Sequence, residues 1–184
     1  MRRWLSLAMF VATGAAACLS LASPANAADP PNEGRVVAFV NDQRAAAGLP
    51  ALSTNATLVN VARAWTDQLL VTGSLAHNGQ LGSQAPGPWA GLGENVGYGP
   101  TIDAVDQAFM NSPGHRANIL GDYDAVGVGV DWRSDGTAFV TVDFLKWLPG
   151  STQTAFSSAP AAASVSPATS VSPSPSTATG YYVL

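Results

Sequence analysis

The chain has two histidines and two glutamates in 184 residues. Three of these four, His77, Glu94 and His115, fall at loop or helix-start positions, where sites are usually built. Two imidazoles and one carboxylate are a sensible donor set for a divalent cation, zinc or another, that keeps an open position for water. A water bound there would supply hydrolytic chemistry on a peptide, because the ion lowers its pKa. The spacing is not diagnostic by itself: there is no H-E-x-x-H and no Cys/His cluster. A second arrangement is Ser112 with His115, three residues apart in "MNSPGHRANIL". Its hydroxyl is expected to cap a helix rather than attack, and no acidic residue is evident to orient the imidazole. No residue is assigned a catalytic role, and hydrogen bonding among these side chains is the plainer expectation.

Positioning them falls to a small set of elements. A helix is expected from about Glu33 to Ala47, with Val36, Val40 and Ala47 on one face, Gly48 as its stop and Pro50 beyond. A second follows Asn55 as N-cap. Leu58, Val61, Ala62, Trp65 and Leu69 form its stripe, which puts Trp65 in the core, and Gly73 ends it. A third starts at Thr101 and turns Ile102, Val105 and Phe109 inward. Ser112 as N-cap and Pro113 at N1 then open a short helix, with His115 on an exposed first turn and Ile119 and Leu120 as anchors.

Beyond that helix the period changes from helical to alternating. In "AVGVGVDWR", Val126, Val128, Val130 and Trp132 face one way, and Gly127 and Gly129 the other. Ser134-Asp135-Gly136 supplies a hairpin turn, after which Ala138, Val140, Val142 and Phe144 return on a single face. The two glycines predict a helix or neighbouring backbone pressed closely on the sheet. Helices followed by an antiparallel hairpin imply a layered α+β domain. The glycine-rich stretch 73–100 reads as loop and holds His77 and Glu94. Asn78, Asn95 and Asn118 are expected to bond local backbone, while Trp89 and Tyr98 either line a cleft or pack within loops.

Neither end reads as globular. Residues 1–27 run from a basic start through an apolar middle to Ala25-Asn26-Ala27, a secretory signal peptide with an A-x-A cleavage site. The only cysteine, Cys18, lies inside it, so the exported form is expected to hold together by packing, without disulfides. Residues 151–184 are rich in Ser, Thr, Ala and Pro and read as a disordered extracellular tail. The folded domain is then residues 29–150. Without Arg2 and Arg3, six basic side chains face twelve acidic ones, a net charge of −6. No basic stripe exists to neutralise phosphates, which argues against nucleic acid as a partner. No membrane span is expected after cleavage, and the secreted form is expected to be a monomer.

"LAHN", "GENVGYG", "SPGHRANIL" and "VGVGV", in this order and at these distances, resemble the CAP superfamily of cysteine-rich secretory, antigen 5 and pathogenesis-related proteins. The resemblance covers about Arg35 to Leu145. It implies a three-layer α-β-α sandwich with a central antiparallel sheet. It also implies a surface cleft lined by two histidines and two acidic residues, which in some members binds zinc or another divalent cation. Carried over by motif, these are His77, Glu94 and His115. The fourth position departs, since "FMNSPGH" offers Asn111 and Ser112, and Asp122 or Asp124 is the candidate substitute. The function implied is a non-enzymatic secreted module that binds a small apolar ligand or an extracellular protein, with no cation needed for folding; a metal-dependent peptidase is the alternative.

Overall fold

The computed structural model describes residues 29–151 and 182–183. The signal peptide and nearly all of the tail therefore lie outside the described residues. Helix α1 (Pro30–Ala46) starts three residues before the expected Glu33, because Asp29 caps it and two prolines fill its first turn. Strand β1 (Ser53–Thr54) leads into α2 (Ala56–Thr72), capped by the Asn55 side chain on the Leu58 N–H and closed by Gly73 at φ 66°. A single turn, α3 (Leu81–Gln84), precedes strand β2 (Trp89–Gly99). Helices α4 (Ile102–Asn111) and α5 (Pro113–Ile119) follow, then strands β3 (Ala125–Trp132) and β4 (Ala138–Trp147). Strand β5 (Tyr182–Val183) closes the chain.

The sheet runs β1-β3-β4-β2-β5. Its β3, β4, β2 and β5 are antiparallel, as expected for the central strands, but β1 pairs parallel to β3. The sheet is therefore mixed rather than wholly antiparallel. A β1–β3 connection through α2, α3, β2, α4 and α5 is long enough to bring β1 alongside in parallel, which a tight hairpin cannot do.

Three layers result. Val126, Val128 and Val130 of β3 and Val140, Val142 and Phe144 of β4 bury against Val36 and Val40 of α1, Val105 and Phe109 of α4, and Ile119 of α5. On the opposite face α2 lies against the sheet: Leu58 meets Ala125 and Leu145, and Leu69 meets Val96 and Phe139. The α+β sandwich expected from the sequence is thus the fold observed. Among the described residues no helix is long and apolar enough to cross a membrane.

Strand β2 is the longest of the elements that sequence pattern missed, beside the short β1 and α3. Its "GLGENVGYG" looks like loop because glycine is depleted in strands. Here the glycine is a packing requirement: a Cβ on Gly93 would come 2.5 Å from the Tyr123 hydroxyl and 3.1 Å from Asn118 Oδ1. The strand gives up side chains so that the α5 layer can press on it.

Candidate functional site

Alternation along β2 sorts its side chains between the two layers. Glu94 stands opposite Asp143 in the β2–β4 register, and Val96 opposite Thr141. Thr141 bonds Thr66 of α2, and Val96 packs with Leu69, so Glu94 and Asp143 also face the α2 side. Asn95, one residue on, turns the other way and donates from Nδ2 to the His115 carbonyl at 3.1 Å.

His77 and Glu94 do come together. His77 Nδ1 lies 2.7 Å from Glu94 Oε1, and the same oxygen accepts the Asn78 N–H at 2.9 Å. A carboxylate oxygen that only accepts requires Nδ1 to be the donor, so Nε2 is the ring's remaining polar atom. The His77 side chain is 56% exposed whereas Glu94 is 9% exposed, so the pair runs from solvent into the sheet. Asn78 bonds locally, as expected, accepting the Gln80 N–H, and also donates to Gln84.

His115 does not join them. It belongs to α5, across the sheet from α2, with its ring 5.2 Å from that of Phe109. It is 7% exposed rather than on an open first turn, because α5 is held down on α4 and β2. Ser112 makes no capping bond; its hydroxyl instead meets His115 Nδ1 at 2.7 Å. Asn118 donates to the Glu94 carbonyl and to Asn95 Oδ1, tying α5 to β2 across sequence rather than to local backbone. Asp122 and Asp124 are both engaged by Lys146, at 2.8 and 3.1 Å, and complete no acidic set with Glu94.

A divalent cation on His77, Glu94 and His115 therefore does not fit this arrangement. The two imidazoles stand in different layers, and Glu94 Oε1 is already occupied by two donors. Among the described residues no three His, Cys, Asp or Glu side chains gather as metal ligands. Trp65, expected in the core, is half-buried instead: it packs beside Leu69, and its indole N–H reaches the Ala76 carbonyl at 2.9 Å. It lines a groove of about 480 Å³ beside α2. Trp89 is 38% exposed, and Tyr98 stacks on Phe139 at 5.3 Å.

Asp143 is the residue that sequence reading passed over. An aspartate in mid-strand, among apolar neighbours and off the face assigned to the core, was the available signal. It is fully buried, and burial pushes its carboxyl from an ordinary 3.8 up to about 8, with Glu94 beside it adding to the shift. The fold keeps this group protonated where the unfolded chain ionises it, so folding takes up a proton. That stabilisation is fully present below about pH 4 and lost as pH rises through about 8. Asp106, buried on α4 and raised to about 7, contributes a slope of the same sign. We expect the urea midpoint to fall from about pH 5 to about pH 8.5, and Asp143→Asn to remove part of that slope. An unchanged slope in the variant would contradict this.

Residues 37–144 match the family model described as the cysteine-rich secretory protein family, CAP. No curated protein matches the chain. Among solved structures, the fold resembles an outer surface protein of Borrelia burgdorferi, at 19% identity and TM-score 0.60, over 66% of this chain and 98% of that one. It also resembles an extracellular SCP-domain protein of Bacillus anthracis, at 22% identity and TM-score 0.56. A cysteine-rich secretory protein of Staphylococcus aureus follows, at 25% identity and TM-score 0.52. For these two the match covers 64% of this chain but only 41% and 39% of theirs, so the chain spans about two fifths of their length. With more than half of its residues inside the family model, and the α-β-α layers that the motifs implied, the chain belongs to the cysteine-rich secretory protein (CAP) family.

Proposed function

We propose that this protein is an extracellular, non-catalytic binding module whose ligand is a small lipid seated beside α2. The groove lined by Val61, Ala64 and Trp65, with Gln68, Gln80 and Gln84 among the polar side chains around it, carries this reading. Its volume of about 480 Å³ falls within the range of small-ligand sites, which is roughly 300–1,000 Å³. Apolar side chains together with amides suit an amphiphile: a hydrocarbon part covers the indole and the amides meet its polar end. Export is supported by the A-x-A signal and by neighbours described as extracellular, secretory or outer-surface proteins. A metal-activated hydrolytic water has no part in this reading, since the two histidines lie in different layers.

Ala64 offers a clean test, because it lies exposed on α2 and carries no core contact. A fluorescent fatty acid or sterol is expected to bind with micromolar affinity, about −8 kcal/mol. Ala64→Trp, which fills the groove from the surface, should weaken binding at least tenfold with the circular dichroism spectrum unchanged. Equal binding by the variant, or none by the native protein, would refute the reading.

A further inference from the structure

Glu94 and Asp143 face each other across neighbouring strands on the α2 side of the sheet. Three of their four carboxyl oxygens, Glu94 Oε2 and both of Asp143, are buried without a hydrogen-bond donor. The surrounding elements leave little to neutralise two charges there. Strand β3 presents Gly127 opposite Asp143, with no side chain at all. Helix α2 brings Leu58 and Ala62 against the β3 glycines, and its Arg63 is turned to Glu33 at 2.7 Å. Thr66 is committed to Thr141, and Lys146 of β4 to Asp122 and Asp124. From the loop come the Asn78 N–H and His77, both spent on Glu94 Oε1.

Two ionised carboxylates cannot persist side by side in so dry a place. A cation would need a third ligand, and among the described residues no such trio exists. We propose that Glu94 and Asp143 share one proton, an acid of one donating to the carboxylate of the other, and that this pair, steadied by His77, stands in this chain where a divalent cation was expected. Asp143 is then a positioning residue. It fixes Glu94, Glu94 accepts from His77 Nδ1–H, and His77 is held with its other nitrogen free to meet a partner at the surface. Burial shifts the Asp143 carboxyl in the direction this requires. The inference is independent of whether the groove beside Trp65 binds lipid.

Carboxyl-carbon NMR of the whole labelled protein near pH 6.5 tests it, with Glu94 and Asp143 assigned through bonds. One of the two is expected at a protonated-acid shift, and one equivalent of zinc chloride should leave the Glu94 and His77 signals unmoved. Asp143→Asn, which keeps the shape of the protonated acid, should preserve the His77 ring-nitrogen shifts, whereas Asp143→Leu should displace them. Two ionised shifts in the native protein, or stoichiometric movement of the His77 and Glu94 signals with zinc, would overturn the proposal. Both native-protein measurements decide the matter even if the leucine variant fails to fold.

Discussion

Gly129→Ala is expected to destabilise the protein by about 3 kcal/mol or more, near the upper end for a single methyl added to a packed interior. A Cβ at this position would sit 2.5 Å from the carbonyl carbon and oxygen of Ala62. Those are backbone atoms of α2, so no rotamer change relieves the clash. The helix itself would have to lift, taking Leu58 and Leu69 partly out of their contacts with Ala125, Leu145, Val96 and Phe139. Gly127 lies in the same situation against Leu58 and Val59, so alanine there should cost a comparable amount. Gly91→Ala is the contrast: its Cβ would meet only the Lys146 Cβ at 3.6 Å, an ordinary contact, with a cost within about 1 kcal/mol. Urea unfolding of the three variants checks the ranking, read as a midpoint change at constant slope. Equal midpoints for Gly129→Ala and Gly91→Ala would show that α2 can yield, and the close-approach argument would be wrong.

These two glycines also mark where sequence reasoning reached furthest. Alternation in "AVGVGV" with glycine on one face means something large must cover that face, and α2 does. The helical stripes of α1, α2 and α4 were legible for the same reason: each buries one side against one layer, so period and burial coincide. The failures have a common cause as well. Strand β2 spends its side chains on accommodating α5, so its pattern is set by a neighbour distant in sequence and not by its own period. His115 looked exposed because a helix start usually is; only the docking of α5 onto α4 and β2 buries it. Asp143 reads as an oddity until β2 and β4 are paired, when it stands opposite Glu94. Half of the candidate site, His77 with Glu94, could be read along the chain. The other half depends on strand register, which no local pattern states.

Arg44→Met should cost about 3 kcal/mol, comparable to the loss of a buried ionic contact, because it removes three charge-assisted hydrogen bonds at once, one of them to a buried carbonyl. Arg44 is 1% exposed near the C-terminal end of α1. Its Nε donates to the Pro50 carbonyl at 2.9 Å, and its Nη1 donates to the carbonyls of Ile119 and Gly121 at 2.9 and 2.7 Å. The Ile119 carbonyl ends α5, where helix carbonyls lack intrahelical partners and a cation is favoured, and that of Gly121 lies in the turn beyond it, where it also accepts the Tyr123 N–H at 3.0 Å. One guanidinium therefore fixes both the Leu49–Pro50 turn and the helix that carries His115 and Asn118. Methionine retains most of the stem's packing while removing all three hydrogen bonds and leaving the buried Ile119 carbonyl without its donor, so its effect measures the hydrogen bonds more than lost volume. Lysine restores a charge but not the planar fork and should recover only part of the loss. Amide hydrogen exchange separates a local from a global effect: protection should fall first in α5, at Ile119 and Leu120, before it falls in β3 and β4. Uniform loss of protection across the sheet would mean that Arg44 supports the whole fold rather than the seating of α5. In that case the contacts from Asn118 to Glu94 and Asn95, not Arg44, would be what holds the helix on β2.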